Sequence, residues 1–70
     1  MLTKDQYLQL LPYKEHLEFF ERVGEWLGGE APFRIHDKIL GGKTNMSCRS
    51  CTSATLLDNL KMIRQYEGNI

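Results

Sequence analysis

Seventy residues allow one domain with a small core, in which nine Lys and Arg residues balance nine Asp and Glu residues. A chain of this size buries only roughly 60% of the surface it exposes when unfolded, so a metal, a disulfide or a second copy is a common staple. The neutral balance argues against a surface built to coat nucleic acid, and no stretch approaches the roughly 18 apolar residues of a membrane span.

The opening, MLTKDQ, lacks the positive region and apolar run of a signal peptide. That predicts a cytoplasmic chain, where a pair of cysteines is more often metal-binding, catalytic or unoxidised than a structural disulfide. Thr3 and Gln6 have the spacing of a capping box, which predicts a first helix running to about Leu11. Pro12 disfavours helical geometry in the residue before it, so the chain either bends there or restarts with Pro12 in a first turn.

The segment YKEHLEFFERVGEWLGG carries the strongest helical pattern. Tyr13, Leu17, Phe20 and Leu27 form one apolar stripe, and His16, Phe19, Val23 and Trp26 form a second beside it. A helix is predicted across the whole segment, closed by Gly28 and Gly29, with Gly24 as a weak point in its interior. Glu18 and Glu21 belong to its solvated face. In EAPFRIHDKILGGKT, Phe33 and Ile35 alternate as in a strand, while Ile35, Ile39 and Leu40 fit a helix. Pro32 at a first turn and the Gly41-Gly42 stop favour the helix. LGGKT lacks the first glycine and the preceding strand of a phosphate-binding loop.

GGKTNMS has the turn residues of a connector. The last helix follows, with Leu56, Leu57, Leu60, Ile63 and Tyr66 as its expected buried stripe, Gly68 as its stop and Asn69-Ile70 as a frayed end. The expectation is an all-α fold: one domain, residues 1–70, of three to four helices with an irregular middle segment.

Four side chains of the chain are soft or borderline metal ligands: His16, His36, Cys48 and Cys51. Four ligands are what a closed tetrahedral zinc site needs, so the expected cofactor is none or a single structural zinc. The order of ligand types is similar to the His-His-Cys-Cys zinc module at the start of retroviral integrases, itself a small helical bundle. In that family both histidines lie close together around one helix, whereas His16 and His36 fall in separate segments here. The resemblance is one of ligand set and implies no activity.

Cys48 and Cys51 have two other readings. Cysteine behaves as a small hydrophobe and is often buried. A cysteine at a helix N-terminus beside a cation such as Arg49 can instead be a reactive thiolate.

The aromatic residues exceed what a small core readily holds. Tyr13, Phe19, Trp26 and Phe33 are therefore candidate anchors for a protein partner or for a second copy of the chain. These features give the expectation of a non-catalytic protein-binding or regulatory module that docks through an aromatic-rich helix face. Compact, charge-balanced accessory proteins, including phage-encoded ones, have this texture. The alternatives are a zinc-stapled helical domain, a nucleic-acid binder using FRIHDKIL and the last helix as a loose helix-turn-helix, a thiol enzyme, and a virion structural component.

Overall fold

The computed structural model describes residues 2–68. The frayed end expected at Asn69-Ile70 lies outside the described residues. Four α-helices follow one another: α1 (Lys4–Leu10), α2 (Lys14–Val23), α3 (Ala31–Leu40) and α4 (Arg49–Glu67). A single 3-10 turn, Leu11–Tyr13, joins α1 to α2. No strand occurs among the described residues.

Local chemistry accounts for each helix start. The Thr3 hydroxyl accepts from the Gln6 amide at 3.2 Å, and the Gln6 side chain accepts from the Thr3 amide at 2.8 Å, completing the expected capping box. Pro12 sits inside the 3-10 turn, where its missing N–H costs nothing. Pro32 occupies the first turn of α3, as its position predicted.

The end of α2 differs from the expectation. The helix stops at Val23, and Gly24 takes the left-handed conformation at φ 86° as its cap. Leu27 and Val23 consequently lie 67% and 53% exposed instead of joining a core stripe. Trp26 leaves the helix and turns back toward the core, its indole N–H donating to the Gly29 carbonyl at 2.8 Å. The ring lies so close to Gly28 that a Cβ there would fall 2.5 Å from it, so only glycine fits at 28 without a shift.

The core is Leu2, Leu10, Leu17, Phe33, Leu56, Leu60 and Ile63, each at most 5% exposed. It gathers around α4, which packs against α1, α2 and α3. The buried stripe of α4 is Thr55, Leu56, Asn59, Leu60 and Ile63. Leu57, expected in that stripe, is 43% exposed, and Asn59 takes the inward position in its place. The Asn59 side-chain amide donates to the Pro32 carbonyl of α3 at 3.0 Å, while its Oδ1 has no partner.

At the far end of α4, Glu67 ties the last helix to the first two. The Lys14 ammonium reaches both of its carboxylate oxygens, at 2.7 and 3.0 Å, and the Tyr7 hydroxyl donates to Oε2 at 2.8 Å. Tyr66 stacks on Tyr7 beside this tie, with ring centroids 4.3 Å apart.

Candidate functional site

The head of α4 gathers the reactive side chains. The loop that leads to it, residues 41–48, is held from two sides. Asp37 near the end of α3 accepts from the Thr44 amide at 2.7 Å and from the Thr44 hydroxyl at 2.6 Å. The same hydroxyl lies 3.0 Å from that of Thr55, which is buried in α4. These bonds hold the Asp37 carboxyl below the usual carboxylate range.

Cys48 ends the loop and is the N-cap of α4. Its backbone is extended, and its sulfur accepts from the Cys51 amide at 3.3 Å, the bond a serine or aspartate cap would make. The Cys51 sulfur lies directly against the same sulfur, and the Ser50 hydroxyl lies 3.3 Å from it. Both cysteines are free thiols; Cys48 is half-buried and Cys51 exposed.

These donors stabilise the Cys48 thiolate. The hydrogen bond from the Cys51 thiol contributes most, then the Ser50 hydroxyl and the Cys51 amide, and together they bring the Cys48 thiol down to about 7. The same S–H bond acts in reverse on Cys51, whose thiol is held above its ordinary value. The two thiols titrate as a coupled pair whose first proton leaves more readily than that of an isolated thiol.

The histidines do not complete a four-ligand zinc site with this pair. His16 is exposed on α2 and meets the Trp26 ring edge-on, at 6.3 Å between centroids. His36 lies between two carboxylates, its Nε2 3.3 Å from Asp58 and its Nδ1 3.5 Å from Asp37. Among the described residues, no group of three or more His, Cys, Asp or Glu side chains could hold a metal ion. The structure does not bring the four expected ligands together: His16 lies on α2, His36 on α3, and Cys48 and Cys51 at the head of α4. The two cysteines are adjacent because one helical turn puts them so, whereas each histidine is held by its own helix. Only His36 and Cys51 share a feature, a shallow groove of about 260 Å³ that also includes Thr44 and Thr55.

The four expected aromatic anchors differ in how far they are buried. Phe33 is a core residue, 5% exposed, packed edge-on against Trp26 at 6.1 Å. Trp26 also meets Phe20 edge-on at 6.5 Å, and both rings are half-buried against the core. Tyr13 is half-buried against the core, and Phe19 is half-buried with the Arg22 guanidinium 5.8 Å above its ring. The apolar side chains most exposed to solvent are aliphatic, Leu27 and Leu40 among them.

The tether through Asp37, Thr44 and Thr55 was not found by reading the sequence. Its only signal is an aspartate one turn before a Gly-Gly stop, with a threonine just beyond it. No family model, no curated protein and no solved structure matches the chain.

Proposed function

We propose that the chain is a small dithiol module that exchanges electrons with disulfides of a partner molecule. The observation that carries this reading is the direct contact of the Cys48 and Cys51 sulfurs at the head of α4, with the Cys51 amide donating to the Cys48 sulfur. The Cys48 thiolate attacks one sulfur of the incoming disulfide, forming a mixed disulfide and releasing the other sulfur as a thiolate, which takes up a proton. Cys51 then loses its proton to solvent and attacks the Cys48 sulfur. The second substrate sulfur leaves as a thiolate, and a Cys48–Cys51 disulfide closes. Two thiols of the chain are oxidised, one substrate disulfide is reduced to two thiols, and two electrons and two protons change hands. The Asp37 tether supports the reading by fixing the loop that delivers Cys48.

Intact mass after incubation of the reduced chain with oxidised glutathione tests it. The chain is expected to lose two hydrogen masses, and Cys51→Ser is expected to stop at a glutathione adduct on Cys48. The alkylation rate of Cys48 with iodoacetamide should rise through a midpoint at about 7. A midpoint at the ordinary thiol value of about 8.5, with no Cys48–Cys51 disulfide formed, would overturn the proposal.

A further inference from the structure

On the side of α4 away from the His36 groove lies a second, larger recess of about 310 Å³, at the lower end of the size range of small-molecule sites. Its apolar wall is made by Phe20, Trp26, Phe33 and Leu56. Trp26 stands nearly perpendicular to both phenyl rings and packs edge-on against each of them, so the three rings form one aromatic surface on the recess. A polar wall comes from the first turns of α4, with Arg49, Thr52 and Ser53 on it.

The polar wall carries unused donors. The Arg49 guanidinium makes no ion pair or side-chain hydrogen bond among the described residues, unlike Arg34 and Arg64, which hold Glu30 and Glu21. The Ser53 hydroxyl is likewise without a partner among them. A recess lined by three aromatic rings and by an arginine without an ion-pair partner among the described residues matches a ligand with an apolar ring at one end and a carboxylate at the other, since the guanidinium fork fits a carboxylate bidentately.

We propose that this recess binds a small aromatic carboxylate, with the ring against Trp26, Phe20 and Phe33 and the carboxylate on Arg49 and Ser53. The site does not depend on the thiol chemistry of Cys48 and Cys51, and either assignment can fail without the other.

Trp26 is the only tryptophan of the chain, so its fluorescence reports on the recess directly. The test is a titration of the full reduced chain with 3-phenylpropionate and, separately, with the uncharged 3-phenylpropanamide. The expected result is a saturable fluorescence change with the carboxylate, at about tenfold or more higher affinity than with the amide, as a charged hydrogen-bonded pair provides. Arg49→Gln, at an exposed position, should keep the helical circular dichroism and bring the carboxylate to within about twofold of the amide. No saturable change with either probe overturns the site. Equal affinity for both probes in the unchanged chain overturns the assignment of the carboxylate to Arg49.

Discussion

Asn59 is the residue whose placement departs furthest from its type. It is fully buried among leucines, donates to the Pro32 carbonyl and leaves its Oδ1 unpartnered. A buried polar side chain usually finds partners for all its atoms, and one left short lowers stability. What Asn59 supplies is a donor directed at α3. Aspartate has the same shape but, when ionised, only acceptors, so Asn59→Asp would set a buried charge against the Pro32 carbonyl. The expected loss at neutral pH is at least about 2 kcal/mol, read from a urea unfolding curve. Asn59→Leu removes the unpartnered oxygen together with the donor and is expected to lie much closer to the unchanged chain. Sequence pattern could not place Asn59 inside, because the leucine pair at 56 and 57 offers two registers for the apolar face. Only the packing of α3 onto α4 selects the one that buries position 59.

Among the helices, α2 separates what periodicity can read from what it cannot. The capping box of α1, the proline start of α3 and the glycine stop at Gly41 are all local signals, and all three stand where the sequence put them. The pattern through Tyr13 to Leu27 continued the helical period past Gly24, yet the chain breaks there. Trp26 gains more by folding back onto Phe20 and Phe33 than it would on an exposed last turn. That gain is tertiary and leaves no period behind.

The candidate site divides in the same way. The proximity of Cys48 and Cys51 was legible, since one helical turn fixes it, but the cation expected to act on them was not: Arg49 lines the recess beside Phe20 and Trp26 instead. The separation of His16 from His36, the burial of Phe33 and the Asp37 tether depend on how helices pack. Gly24 tests the α2 boundary. In a helix interior, Gly24→Ala would add about 1 kcal/mol of stability. At φ 86°, with nothing within 4 Å of the new methyl group, the cost is one of backbone conformation alone. The substitution is then expected to lower stability by about 1–2 kcal/mol, measured as a fall in Tm.

For the molecule as a whole, the carboxylates that hold segments together are expected to contribute to a loss of stability in acid. Hydrogen bonds from Lys14 and then Tyr7 lower the pKa of Glu67, the Arg64 guanidinium lowers that of Glu21, and Thr44 lowers that of Asp37. Each is lower in the folded chain than its ordinary value of about 4. The stabilisation is therefore complete above that value and is lost as the pH falls through the folded value. Glu21 and Arg64 are nearly half exposed, so solvent screens their pair, and the Glu67 tie is the larger contributor. Thermal melts across the acid range are expected to show Tm falling steeply below about pH 4. Glu67→Gln should lower Tm at neutral pH and make the acid fall shallower. An unchanged slope would place the acid sensitivity elsewhere.

The position of α4 also bears on how the chain is made. Every earlier helix packs against α4, and α4 follows them all in the sequence. As the chain leaves the ribosome, α1, α2 and α3 emerge before the surface that covers them exists. Vectorial synthesis therefore leaves the completion of this core to the last helix. The segments before it have partners among themselves, α1 with α3 and Trp26 with Phe33, but the core closes only once α4 is free of the exit tunnel.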